Sequence, residues 1–376
     1  MVDDLPLDGL LVLDMAQFLS GPSAALRLGD LGARVIKVER PGGGDICRSL
    51  YLTDTDIGGD STLFHAINRN KESIALDYRD DADRAALYRL VERADVVIQN
   101  FRPGVADRLA VGPQALRARN PRLIVGSISG YGEGGPWVGL PGQDLLAQAL
   151  SGAMWLSGNA DDGPVPFGLS IADMLAGHIL TEGILAALVR RGIKGVGGHV
   201  ETSLLEAMVD FQFEVLTTHL NDGGRLPNRA KHRNAHAYLA APYGVYRTTD
   251  GWLALAMTPL PKLEAMLGID LAGNAFADRD RLQVLIAERI AQQDTASWTA
   301  RLRMQDIWCA QVLDWPALLA SEAFARLDLL QSMPAKDKPI LTTRSPVRID
   351  GHRPNRPAAA PTVGQHGDAI RAEFAP

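Results

Sequence analysis

The segment LLVLDMAQFLSGPSAALRLGDLGARVIKVE, residues 10–39, sets the reading of the chain. Leu10 to Met15 is a short apolar run, Gly21 to Leu31 carries apolar residues at helical spacing, and Arg34 to Glu39 alternates with the period of a strand. This predicts a β-α-β unit. The pattern then recurs, with a strand over Ser73 to Tyr78, a helix over Asp80 to Ala94 and a strand over Asp95 to Gln99. A helix over Val105 to Ala118 and a strand over Arg122 to Ser127 complete the series. Strands that alternate with helices pair in parallel through helical crossovers, so the expected fold is α/β, with a Rossmann-like, doubly wound, mostly parallel sheet.

Beyond the sheet, helical spacing covers Asp144 to Ala153 and Ile171 to Arg191, a strand covers Gly198 to Thr202, and one long helix is expected from Ser203 to Asn221. The stretch DGGRLPNRAKHRNAHAYLAA, residues 222–241, combines Gly-Gly, Pro and a concentration of positive charge, and reads as a linker. Gly244 to Met257 has the turn chemistry of a hairpin and short helices follow, so residues 242–330 are expected to form a smaller α+β domain after a large one at 1–221. Residues 331–376, with an extended Pro- and Ala-rich run at 354–361 and a short helix from Asp368 to Phe374, are expected to return to the large domain.

With 46% hydrophobic residues and 22% charged, the composition is that of an ordinary globular protein, and a net charge of -6 argues against binding nucleic acid through clustered basic surface. Cys47 and Cys309 are far apart and belong to no ligand cluster, so neither a disulfide framework nor a metal site is expected. The acidic start MVDDLPLD lacks the basic region of a signal peptide, and no run of 18 apolar residues occurs in the sequence. A cytoplasmic protein with no membrane partner is expected.

The common catalytic signatures are missing: DMAQFLSGPSAA follows the first strand where a dinucleotide site would have G-x-G-x-x-G, and there is no P-loop, nucleophile elbow or H-E-x-x-H. Eight segments in order instead carry a resemblance. They are residues 7–45, NRNKESIALD (68–77), ADVVIQNFRPGVADRL (94–109), SGYGEGGP (129–136), PFGLSIADMLAGH (166–178), GGHVETSLLEAM (197–208), APYGVYRTTDGWLALA (241–256) and PTVGQHGD (361–368). Together they resemble the class III CoA-transferase family, nearly end to end.

The resemblance implies an enzyme that moves coenzyme A from an acyl-CoA to a carboxylic acid, with no cofactor beyond CoA itself and with an interlocked homodimer as the working form. It makes Asp173 the nucleophile that becomes acylated. Taken locally, Ser170 and Asp173 read as a capping box; ionised Asp173 at N3 would be favoured by the helix dipole. For CoA, the resemblance implies Phe18 and Leu19 in the first βα turn, Arg40 after the second strand, Leu76, Asp77, Tyr78 and Arg79 after the third, and Asn100, Phe101 and Arg108 in the N-F-x-P-G segment. Arginines suit phosphates because they give planar, charge-assisted hydrogen bonds.

Gln143 and Asp144 match a region beside the family's active site, although Pro141 stands where formyl-CoA transferases carry lysine. The family's α-methylacyl-CoA racemases have a His at the position of Gln143, and a glutamine cannot exchange a proton near neutral pH, so transfer is expected over racemisation. A non-catalytic acyl-CoA binder is the reading from another class, and Asp173 argues against it. Finally, Arg229 and Arg233 in the basic stretch are candidates to pair with the distal carboxylate of a dicarboxylic acid.

Overall fold

The opening apolar run forms β1 (Leu11–Asp14), buried at every residue, followed by α1 (Ser20–Asp30) and β2 (Arg34–Glu39). A small hairpin of β3 (Asp56–Ile57) and β4 (Asp60–Ser61) leads to α2 (Thr62–Asn68) and β5 (Lys71–Ala75). Then come α3 (Asp81–Arg93), β6 (Val96–Gln99), α4 (Val105–Arg108), α5 (Pro113–Arg119) and β7 (Ile124–Ser129). After α6 (Asp144–Leu150) the long helix α7 (Ile171–Lys194) precedes β8 (Gly198–Ser203) and α8 (Leu204–Phe211). The computed structural model describes residues 5–232, 234–334, 339–354 and 357–375.

The chain divides into two compact units: Met1–Ala147, Ser170–Phe211 and Asp328–Pro376 form one, and Gln148–Leu169 with Gln212–Leu327 the other. In the first, six parallel strands lie in the order β5-β2-β1-β6-β7-β8, the doubly wound arrangement expected. Such strands are covered on both faces, which is why β1, β6 and β7 are buried throughout instead of alternating. Leu13, Ile36, Val97 and Val125 meet Leu87, Leu90 and Val91 of α3 on one face. On the other, α1 packs against α7. The strand order reverses between β1 and β6, opening a crevice at their carboxyl ends.

Among the described helices α7 alone is long and apolar enough to cross a membrane by length and composition. Its apolar side is used in the core, where Ala172, Ala176, Leu180, Ile184 and Ala187 are buried.

In the second unit α9 (Phe213–Asn221) is followed by the hairpin β9 (Gly244–Arg247) and β10 (Trp252–Leu255), where Arg247 faces Trp252. The helices α10 (Leu260–Leu267), α11 (Arg279–Ile290) and α12 (Thr295–Met304) pack Leu263, Leu282, Ile286 and Trp298 into a core of their own. β11 (Cys309–Gln311) completes a three-stranded antiparallel sheet, and α13 (Trp315–Ala320) and α14 (Glu322–Leu327) end the unit. The chain then forms the hairpin β12 (Leu330–Met333) and β13 (Ile340–Thr343) and ends in α15 (Gly367–Glu373), whose Ile370, with Phe374, enters the first unit's core.

Several boundaries differ from the sequence reading. The helix expected from Ser203 to Asn221 is broken at Gln212, whose amide donates to Ser151 O at 3.2 Å. The division between units therefore falls at 211/212, before the linker expected at 222–241, and 148–169 joins the second unit. The helix over Val105 to Ala118 is two, because Pro113 supplies no N–H and starts a new one. The strand at Ser73 to Tyr78 runs from Lys71 to Ala75, after which Leu76 N–H still donates to Glu39 O at 2.8 Å.

Candidate active site

The first βα turn, at the switch point of the sheet, is built over buried charge. Lys71 Nζ donates to Asp14 Oδ2 and to Pro22 O, at 2.8 and 2.9 Å, and Lys37 Nζ lies 2.8 Å from Asp45 Oδ2 and donates to Ala16 O at 3.0 Å. Burial alone would push the Asp14 carboxyl up, but Lys37 and Lys71 hold it below its ordinary range. Burial lowers Lys71 to about 8. These charges fix the main chain on both sides of Phe18, which takes a left-handed conformation with φ 63°. Phe18 N–H donates to Asp45 Oδ1 at 3.2 Å, Gln17 N–H to Asn100 Oδ1 at 2.9 Å, and Asn100 Nδ2 returns a bond to Gln17 O at 2.7 Å. Asn100 thus ties the end of β6 to the turn across the crevice.

Two cavities open along this edge. The first, about 240 Å3, is lined by Arg40, Leu76, Asp77, Tyr78, Arg79 and Phe101. The second, about 450 Å3, brings together Phe18, Asn100, Phe101, Gln143, Asp144 and Asp173. Phe101 belongs to both, and Tyr78 meets its ring edge-on with centroids 6.1 Å apart. Two residues implied by the resemblance line neither cavity. Leu19 packs beside Cys47, Phe64 and Ile67, and Arg108 is exposed at the end of α4.

Asp173 lies at N3 of α7, yet the capping box is not formed: Ser170 makes no side-chain cap, and the Asp173 N–H donates to Asp144 Oδ2 at 3.1 Å. The cap is thus supplied from 29 residues upstream. The Asp173 carboxyl is half-buried. Burial first, and then the Asp144 carboxylate, push it from the ordinary 3.8 up to about 6, against a hydrogen bond from Ser20 that favours the charged form. The helix dipole favours the ionised form, as the sequence reading has it, but burial and the Asp144 charge act in the opposite sense on the same carboxyl.

Two close approaches bring these groups together. A Cβ on Gly177 would lie 2.8 Å from Ser20 O, so only glycine lets α7 approach α1 closely enough for Ser20 to reach Asp173. Similarly, Gly130 and Gly142 cross so tightly that a Cβ on either would sit 2.7 Å from the other's Cα, setting the loop that carries Gln143 and Asp144 against the end of β7.

Sequence reasoning missed Ser20, Asp14, Lys37 and Lys71. Their signal was ionisable residues inside runs otherwise apolar or strand-like. In the second unit, Arg229 is buried and its guanidinium donates to the carbonyls of Ser157, Asp162 and Gly163, so it serves the packing of that unit and is not held out for a carboxylate. Arg233 lies outside the described residues.

The sequence profile of CoA-transferase family III matches residues 7–367. The chain is 33% identical over 384 residues to the acetyl-CoA:oxalate CoA-transferase of Acetobacter aceti, covering 98% of this chain and 96% of that protein. It is 33% identical over 385 residues to the succinyl-CoA:mesaconate CoA-transferase of Haloarcula hispanica, covering 96% and 94%. The succinate–glutarate CoA-transferase of Agrobacterium fabrum is 32% identical over 397 residues, with 98% and 96% covered. Among solved structures, a CAIB/BAIF family protein from Brucella suis superposes with a TM-score of 0.86 at 32% identity, over 99% of this chain and all of that one.

Proposed function

The chain belongs to CoA-transferase family III and is an enzyme that moves coenzyme A between carboxylic acids, and on that premise we propose that Asp173 is its nucleophile. An Asp173 oxygen attacks the thioester carbonyl, the C–S bond breaks, and CoA leaves as thiolate from a mixed anhydride. Attack by that thiolate on the Asp173 carbonyl releases the donor acid and forms an aspartyl-CoA thioester. The acceptor carboxylate repeats the sequence in reverse, ending with its own CoA thioester and a free Asp173 carboxylate. The observation that carries this reading is the placement of Asp173 with Asp144 and Ser20 in one cavity, half-buried but still ionised above pH about 6. Incubation with an acyl-CoA should give an adduct on Asp173 that hydroxylamine or borohydride traps; full transfer by Asp173→Ala would overturn the assignment.

For CoA, we read the first cavity as the seat of its charged end, with Arg40 and Arg79 near phosphate, and the second as the seat of the thioester, with Phe101 between them. The names of the relatives include oxalate, mesaconate, succinate and glutarate, and this supports a short dicarboxylic acid as acceptor. The working form we propose is the interlocked homodimer: in the second unit α9 carries Phe213, Leu216 and Leu220 yet buries no residue, an apolar face for a second copy to cover. Sedimentation of a monomer at micromolar concentration would refute this.

A further inference from the structure

A second polar array lies on the face of the sheet away from α7. Gln99, Ser127 and Glu201 stand side by side across β6, β7 and β8, since Gln99 is in register with Ser127 and Ser127 with Glu201, and His199 precedes Glu201 by two residues on the same face. Phe101 N–H donates to Gln99 Oε1 at 2.7 Å, Gln99 Nε2 donates to Ser127 Oγ at 2.7 Å, Ser127 Oγ is 2.8 Å from His199 Nε2, and His199 Nδ1 is 3.3 Å from Glu201 Oε2. Gln99 and Ser127 are buried.

One fixed donor sets the polarity of this chain. A main-chain N–H can only donate, so the Gln99 oxygen must face Phe101 and its NH2 must face Ser127. The Ser127 hydroxyl then directs its hydrogen to His199 Nε2, which must be unprotonated, leaving the ring proton on Nδ1 toward Glu201. A proton on Nε2 would make Ser127 Oγ accept twice, from Gln99 and from His199, and turn the hydroxyl hydrogen away from the ring, so that the hydrogen loses its partner in the relay. The alternative is for Gln99 to turn over and abandon Phe101 N–H. Both outcomes cost about the free energy of a buried hydrogen bond.

The chain ends where the function is placed. Phe101 lines both cavities of the candidate site, and Phe101, Arg102 and Pro103 also line a small cavity that holds Ser127, His199 and Glu201. We propose that His199 is a positioning residue for the acyl-CoA site: through Ser127 and Gln99 it fixes the Phe101–Pro103 turn, and gaining a proton releases that turn and weakens CoA binding. The inference rests on reading the two cavities as the CoA site.

The charged groups around His199 come from every neighbouring element: Glu201 on β8, Arg117 on α5, Asp107 on α4, Glu133 after β7 and Arg102 after β6. Burial lowers the His199 pKa from 6.5, Glu201 opposes this and Arg117 adds to it, so the ring is held neutral at pH 7, as the hydrogen bonds require.

The test is calorimetric titration of the full-length protein with CoA. Glutamine at position 199 offers an oxygen to Ser127 as the neutral ring does, but does not titrate. From about pH 8 to about pH 5 wild-type protein should lose about tenfold more affinity than His199→Gln, in which only Asp173 and the phosphate of CoA still titrate, and Ser127→Ala should bind about tenfold more weakly than wild type at pH 8 and match it at pH 5. An equal fall with pH in wild type and His199→Gln, or wild-type binding by Ser127→Ala at pH 8, overturns the relay alone. Wild-type protein that binds no CoA at any pH overturns the reading of the cavities and the relay with it.

Discussion

Under the first βα turn and at the start of α7, the same unit brings together two pairs of acids, the first buried and the second half-buried, with opposite results. Asp14 and Asp45 lie against Lys37 and Lys71, so each carboxylate has a cation, and the group pins the main chain at Ala16 and Pro22. Asp173 and Asp144 face each other, and Asp173 has only a hydroxyl to favour its charge. Matched charge makes a rigid support. A carboxylate without a cation is more basic, with its pKa raised to about 6, and this basicity suits the nucleophile proposed for it.

The sharpest way to break this contrast is Asp173→Ala, which should lower transfer by about ten-thousand-fold while leaving the fold intact, measured as kcat with any accepted acyl-CoA. Next in size is Lys71→Met. It leaves Asp14 with Lys37 at 3.5 Å, and urea unfolding should show a loss of about 3–5 kcal/mol.

Asp173→Asn separates stability from function. With its pKa raised to about 6, the native carboxyl stabilises the fold while protonated, fully below the ordinary 3.8, and that contribution drains away as pH climbs through 6. The asparagine variant should therefore be more stable than wild type by about 1–2 kcal/mol at pH 7, with the difference vanishing by about pH 4, although transfer is lost. The smallest effect belongs to Asp144→Asn. Removing that charge should move the acid limb of kcat/KM to lower pH by less than about one unit, with burial keeping Asp173 above the ordinary carboxylate range.

The parallel sheet was legible because short strand runs alternating with period-3.6 stretches in residues 10–39 and after are local consequences of covering strands on both faces and helices on one. The reading was least secure where polar groups interrupt such runs. Lys37 in RVIKVE and Ser127 in RLIVGS look like ordinary strand positions, and only the fold gives Lys37 the carboxylates of Asp14 on the neighbouring strand and Asp45 in the turn after its own, and gives Ser127 its neighbours Gln99 and His199 on the adjacent strands. The break at Gln212 escaped notice for a similar reason: Ser151, which takes its amide hydrogen bond, is 61 residues away.

By itself the sequence determined the strand and helix order, through residue types and spacing along one chain, and the family resemblance, which makes Asp173 the residue to watch where local spacing alone reads a helix cap. Tertiary structure alone decided what Asp173 is chemically. Its cap comes from Asp144, its hydrogen bond from Ser20 across a contact that Gly177 permits, and its raised pKa from burial. Desolvation and Coulomb interaction depend on distance through space, which no local pattern encodes.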